Sequence, residues 1–386
     1  VTVKNFVAGQ SDTLVDATTR HGTACAEIVH DMAPQAELYL LKIATDIDLA
    51  QAVNYAISQD VDIISTSLTF LNATPGDGTG KFASMAQTAR NAGILWVTAA
   101  GNYRQTHWGG SFSDPDNDLF HNFTPDQEVN FFGPGDGQAF LIPAGTLITA
   151  SMRWDDWISI NQDFSLYIVR YNGSSYDIVA TSENPQTGQS GQRPTERLQF
   201  MTSGSEAVYG VAIKRESGNR NVFFNLITPN REMDRRLEVL SLGNLADVPA
   251  VMTVAAVNVR SPYSQERYSS EGPTNGPGGI SSGGQYKPDL AAFANVSTAS
   301  YSGGGFNGTS AATPHVAGAA AVVLSVYPEN NPAALQTYLE TRAIDQGVAG
   351  PDVEYGHGRL HLGPPPQPVV YGHFAFTPFV ITGIQP

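Results

Sequence analysis

In residues 37–102, short apolar segments alternate with amphipathic ones, and this alternation restricts the possible folds more than any other feature of the chain. Residues 38–43, 61–68 and 94–99 are apolar and short enough to be buried strands. Between them, apolar residues recur at helical spacing. Strands that alternate with helices in this way predict parallel βαβ units. We therefore expect an α/β fold whose mostly parallel sheet is flanked by helices.

Residues 112–228 have a different apolar pattern. Their apolar runs are short, often alternate with polar residues, and are separated by Gly, Asn, Asp and Pro. This pattern is typical of antiparallel strands and predicts an inserted antiparallel β-sandwich. The α/β pattern returns at residues 251–257 and continues into an apolar helix over residues 309–326. The predicted organisation is a first core part over residues 1–105, the inserted sandwich over 106–245, a second core part over 246–363 and a Pro-rich C-terminal tail over 364–386.

The charge of the chain excludes several classes of function. Among its 386 residues, 36 Asp and Glu outweigh 21 Lys and Arg, which gives a net charge of −15. A chain this acidic, with no cluster of basic residues, is a poor partner for nucleic acid or an anionic membrane. No apolar run reaches the roughly 18 residues that cross a bilayer. We expect no nucleic-acid or membrane partner, and the acidic composition favours an extracellular protein.

Residues 308–318, with the sequence GTSAATPHVAG, contain the strongest functional signal. Ser310 lies at the predicted start of the apolar helix, where the helix dipole favours developing negative charge. Small residues after it allow the helix to pass close to its neighbours. An ordinary N-capped helix would explain the same position, because Ser and Thr are common caps.

Two further polar residues lie at the ends of predicted elements. His21 begins the segment HGTACAE, ahead of the apolar stripe of a helix. A single histidine at such a position is more often a cap or a surface residue than a catalytic base. Asn102 follows the third predicted strand, at the sheet edge where open α/β sheets bind ligands. A simple turn residue is the alternative interpretation of Asn102.

In their order along the chain and in their amino-acid sequences, these three segments together resemble the subtilisin-like serine protease (subtilase) family. The resemblance extends to residues 62–68, 249–258, 268–273, 287–290 and 352–360. It implies a secreted serine endopeptidase that cleaves proteins or peptides and uses no cofactor for catalysis. Monomeric behaviour is expected.

The resemblance also assigns roles to individual residues. It implies that Ser310 is the nucleophile, His21 the general base and Asn102 a donor to the oxyanion. It further implies that Ser67, Leu68 and Thr69 line the pocket for the substrate residue that precedes the cut.

The aspartate of the family's catalytic triad is not identifiable in this chain. In the family it ends the first strand, well before the histidine, whereas only twenty residues precede His21 here. Asp12 and Asp16 are the upstream acids, but both are too close to His21 and neither precedes a suitably placed glycine. We expect the true aspartate upstream of Val1. The alternative is a weak or inactive subtilase-fold scaffold whose sandwich binds a partner.

Residues 114–118 (DPDND) place three carboxylates at alternate positions, on Asp114, Asp116 and Asp118. Alternating oxygen ligands suit Ca²⁺. The glycine and the terminal glutamate of an EF-hand loop are absent, and acidic loops are common in an acidic protein. The segment therefore predicts either a structural Ca²⁺ site or a solvated acidic loop.

Overall fold

The computed structural model describes residues 1–11, 19–303 and 305–364, together with the backbone of Pro378–Gly383. Its central element is a seven-stranded sheet in which every neighbouring pair is parallel. In chain order the strands of this sheet are β1 (Thr2–Asn5), β2 (Tyr39–Ile43), β3 (Ile63–Thr66), β4 (Leu95–Ala99), β14 (Val251–Asn258), β15 (Leu290–Ala294) and β16 (Pro378–Gly383). In space their order is β1-β2-β16-β3-β4-β14-β15.

Helices cover both faces of this sheet, as a buried parallel sheet requires. They are α1 (His21–Met32), α2 (Asp46–Ser58), α3 (Lys81–Asn91), α4 (Thr309–Val326) and α5 (Pro332–Arg342). The buried residues of α1 and α4 form one apolar cluster with the sheet, and those of α2 and α3 form another. The predicted α/β class with a mostly parallel sheet is confirmed, and the bounds of α4 agree with the predicted helix.

Helix α4 crosses the core and lies very close to α1. A Cβ atom on Gly318 would lie 2.5 Å from the Cβ of Met32, so glycine permits this close approach. Within the described residues, α4 alone has the length and hydropathy of a membrane span, and 78% of it is buried inside the protein. Such burial is that of a core helix, and the contact holds the middle of α4 against the end of α1.

Between β4 and β14 the chain forms two antiparallel sheets. One has the order β10-β9-β12-β6, with β7 also paired to β12, and the other has the order β11-β8-β13-β5. The strands are β5 (His107–Ser111), β6 (Asn130–Phe131), β7 (Leu141–Ile142), β8 (Leu147–Trp154), β9 (Asp163–Tyr171), β10 (Tyr176–Ser182), β11 (Thr195–Met201), β12 (Ala207–Ser217) and β13 (Phe223–Ile227). Both sheets contribute to one buried cluster rich in aromatic residues. The predicted domain boundaries stay predictions.

The C-terminal segment contributes a strand that the sequence analysis did not predict. Strand β16 lies between β2 and β3 and is parallel to both. Residues 364–386 are therefore not only a tail, because six of them complete the central sheet.

Candidate active site

Ser310 lies in the first turn of α4, close to the end of β3. The N-cap residue Gly308 has a φ of 87°, which favours glycine, and a Cβ there would lie 3.1 Å from Asn102 Nδ2. The Ser310 hydroxyl donates to the carbonyl oxygen of Ser67 at 3.3 Å, and the Ser67 hydroxyl donates to the carbonyl oxygen of Ser310 at 2.9 Å. These two hydrogen bonds attach the start of α4 to the segment that follows β3.

His21 is the first residue of α1, and α1 packs against α4. One helical turn later, the Cys25 thiol donates to the carbonyl oxygen of Ser310 at 3.6 Å. The His21 ring meets the Phe306 ring edge-on at 5.6 Å. These contacts bring the predicted base and the predicted nucleophile to the same region of the molecule.

Burial lowers the pKa of His21 below its ordinary value, so the ring is neutral at neutral pH, as a general base must be. The Nδ1 atom of His21 is buried and has no hydrogen-bond partner among the described residues. Asp12 and Asp16 lie outside the described residues. Any acid that orients His21 is therefore not among the residues described here.

Asn102 follows β4 at the carboxyl edge of the sheet, and its amide has a fixed orientation. Its Oδ1 accepts from the backbone N–H of Thr309 at 3.0 Å and from the Thr309 hydroxyl at 3.1 Å. With Oδ1 occupied in this way, the Nδ2 protons have no acceptor in the described part of the chain. A free amide donor thus lies beside the N-terminus of α4, next to Ser310.

Ser67, Leu68 and Thr69 follow β3 directly. Ser67 is buried, while Leu68 and Thr69 are half-buried. The structure adds a partner that sequence reasoning missed, because the Tyr103 hydroxyl lies 2.5 Å from Thr69 Oγ1. The tyrosine next to Asn102 is the sequence feature that could have indicated this contact, but the sequence alone does not give the orientation of its ring.

Tyr268 is a second residue without a predicted role. Its hydroxyl accepts from the backbone N–H of Gly308 at 2.8 Å and so supports the loop in front of Ser310. It belongs to residues 268–273, which carry part of the family resemblance. Burial raises the pKa of Tyr268, so its hydroxyl keeps its proton.

The three aspartates predicted as metal ligands lie together in the loop after β5. Asp114, Asp116 and Asp118 place one carboxylate oxygen each within 4.8 Å of one another. The Asp114 carboxylate accepts the backbone N–H groups of Asp118 and Leu119. Burial, and then the charges of the three aspartates, raise the pKa of nearby Glu128. Such a set of oxygens fits a hard cation such as Ca²⁺.

If this loop binds Ca²⁺, a chelator lowers the thermal midpoint of the protein by a few degrees. Ca²⁺ at about 100 times its Kd stabilises the folded state by about 2.7 kcal/mol. Thermal unfolding with Ca²⁺ and with EDTA measures the difference. The Asp116→Asn variant should lose most of it, whereas Asp177→Asn, at an exposed aspartate on β10, should retain it. Equal midpoints with and without EDTA would contradict a structural ion.

Comparisons with known proteins agree with this fold. The model of the subtilase family matches residues 4–151 and 167–358. An extracellular serine protease of Serratia marcescens is 42% identical over 59 residues, which are 15% of this chain and 6% of that protein. The match thus spans only a small part of that relative.

Two solved structures are also similar to the chain. The CspB protease of Clostridium perfringens has a TM-score of 0.55 and 18% identity, covering 84% of this chain and 73% of that one. Sphericase has a TM-score of 0.46 and 17% identity, covering 93% and 83%. The likeness to the CspB protease supports the α/β fold.

Proposed function

The chain belongs to the subtilase family of serine peptidases, and from this premise we propose that it is an endopeptidase acting through an acyl-enzyme intermediate. Ser310 attacks the scissile carbonyl carbon while His21 takes the hydroxyl proton and passes it to the leaving amine. Asn102 and the backbone N–H of Ser310 donate to the oxyanion. Water then hydrolyses the ester and regenerates Ser310. The substrate is a protein or peptide, catalysis needs no cofactor, and the chain acts as a monomer.

The observation that carries this proposal is the orientation of Asn102. An oxyanion donor must be preorganised, because reorienting a dipole during the reaction costs the free energy that the donor supplies. Here two hydrogen bonds from Thr309 hold the amide by its oxygen and leave Nδ2 free. A turn residue with no function has no need for this arrangement beside a serine at a helix N-terminus.

The hydrogen bond of Ser310 to Ser67 describes a resting position of the nucleophile. For attack, the hydroxyl rotates about its Cα–Cβ bond and gives its proton to His21 instead.

The buried Nδ1 of His21 has no hydrogen-bond partner among the described residues, and this is evidence that an acid completes the site. A buried polar atom without a partner costs about 1–3 kcal/mol, and an aspartate carboxylate would remove that cost and fix the tautomer. We propose that this aspartate is not among the described residues. Its loss costs about 3 × 10⁴ in kcat, a magnitude measured on a member of this family.

Secretion is also proposed, on two grounds. The net charge of −15 suits a protein that stays dissolved outside the cell. The Serratia marcescens relative is described as extracellular.

Intact-mass labelling with a fluorophosphonate tests the proposed nucleophile. We expect the wild type to gain one label and Ser310→Ala to gain none. Ser325→Ala is the matched control, because Ser325 is an exposed serine on the same helix and should not affect labelling. Equal labelling of the wild type and Ser310→Ala would contradict the assignment.

A folded wild type without label would mean that His21 lacks its acid. In that case the scaffold function, with a partner on the antiparallel sheets, would replace the peptidase.

A further inference from the structure

We propose that Tyr103 closes the pocket beside Thr69, so that the substrate residue preceding the cut must be glycine, alanine or serine. This inference rests on the proposed peptidase function, since it describes which peptides the same site accepts.

The two walls of the pocket leave the central sheet side by side. Residues 67–69 follow β3 and residues 100–103 follow β4, and these strands are parallel neighbours. The walls therefore begin one strand spacing apart, which is about 4.8 Å. A side chain can enter between them only where the two segments diverge.

A third segment, around Gly243, contacts both walls. The N–H of Gly243 donates to the carbonyl oxygen of Ala100 at 3.0 Å, and Asn244 and Phe70 exchange backbone hydrogen bonds. A Cβ on Gly243 would lie 2.6 Å from the Cβ of Thr69, so this backbone already touches the wall. Ala100 also packs in a buried apolar cluster with Leu242 and Ala246.

The ring of Tyr103 bridges the two walls. Its hydroxyl reaches Thr69 Oγ1 on the opposite wall, and a Cβ on Gly101 would lie 2.8 Å from its ring carbons. The backbone N–H of Tyr103 donates to the Ser270 hydroxyl at 2.9 Å, which anchors the residue. The ring is 7% exposed and is thus a packed part of the pocket rather than a mobile cover.

A pocket filled in this way accepts a hydrogen, a methyl or a hydroxymethyl group. A larger side chain would have to displace a buried ring and break its hydrogen bond to Thr69. Overpacking of this kind costs about 1–3 kcal/mol or more. The cost applies to substrate binding and to the transition state alike, so it appears in kcat/KM.

Peptide diphenyl phosphonates that differ only in the residue before the phosphorus test the proposal on the full chain. Ser310 displaces phenol from phosphorus, and mass spectrometry follows the covalent adduct. We expect the wild type to react at least about 10-fold faster with the Ala probe than with the Phe probe. In Tyr103→Ala, the ratio should shift at least about 10-fold towards Phe.

Two variants separate the size of the ring from other effects. Tyr103→Phe keeps the ring and should keep the preference for Ala. Tyr171→Ala removes a tyrosine that is 40% exposed on β9 and should leave the ratio unchanged. If Tyr103→Ala does not fold, the ratio of the rates with the Ala and Phe probes still tests the proposal when it is measured for the wild type and for Tyr103→Leu. Leucine leaves part of the space of the tyrosine ring open.

The outcomes distinguish this inference from the proposed function. A wild type that reacts with a simple fluorophosphonate but prefers the Phe probe overturns the pocket assignment and leaves the peptidase intact. A wild type that reacts with neither reagent class overturns the proposed function, and the pocket assignment fails with it.

Discussion

Replacement of Asn102 by alanine is expected to lower kcat for a peptide substrate by about 10²–10³, with little change in KM. Removal of one oxyanion donor typically has this effect, and the magnitude was measured on a member of this family. The amide is free to donate only because Thr309 satisfies its oxygen. The donor acts on negative charge that is absent from the ground state, so its loss affects the rate more than binding.

Steady-state kinetics and the rate of fluorophosphonate labelling measure this effect independently. Asn172→Ala is the control, since Asn172 is an exposed asparagine that bonds locally to Ser175 and Asp177. The thermal midpoint of Asn102→Ala shows whether the start of α4 stays in place. A variant that keeps kcat within about threefold would contradict the donor role, because about 0.7 kcal/mol is too little for an oxyanion hydrogen bond.

Local patterns in the sequence are sufficient to predict the elements that surround the site. Helix α4 was predicted with its observed bounds because its apolar run is long and begins after a Gly-rich segment. Strand β3 was predicted two residues too long at each end, because Val61 and Leu68 extend the apolar pattern, and β4 was predicted one residue too long, at Ile94. The parallel arrangement followed from the alternation of strands with helices.

Contacts between distant parts of the chain were not predictable in this way. Strand β16 joins the sheet more than 300 residues after its neighbour β3, and nothing local in its sequence specifies that place. The contact of Tyr103 with Thr69 depends on how two loops leave the sheet. The orientation of Asn102 depends on Thr309, which is 207 residues away. Such contacts are set by tertiary packing, which propensity and periodicity do not encode.

Arg153 on β8 makes the second contact that we expect to have a large effect, because it joins the antiparallel sheets to the parallel-sheet core. Its side chain is buried, and its guanidinium donates to the carbonyl oxygen of Thr74 at 3.1 Å. Burial lowers its pKa to about 10, while the charges of Asp247 and Asp77 oppose that shift. Asp247 is itself buried, and its carboxylate accepts the N–H of Gly78 at 3.0 Å. Burial raises the pKa of Asp247, and the charge of Arg153 opposes this rise.

We expect Arg153→Met to lower the free energy of unfolding by about 1–3 kcal/mol, because the buried carbonyl oxygen of Thr74 loses its donor and buried Asp247 loses an opposite charge. Urea denaturation at neutral pH measures the loss. Arg197→Met is the matched control, since Arg197 is also in the antiparallel sheets, on β11, but is exposed. The control should lose less than about 1 kcal/mol.

A double-mutant cycle separates this charge compensation from simple loss of packing. If the two charges stabilise each other, Arg153→Met combined with Asp247→Asn is more stable than the sum of the single losses predicts. Losses that add without coupling, or an Arg153→Met variant as stable as Arg197→Met, would show that the two charges do not stabilise each other. With strong coupling, the core and the antiparallel sheets unfold in one transition, and a substitution on β8 changes the segment beside the substrate pocket.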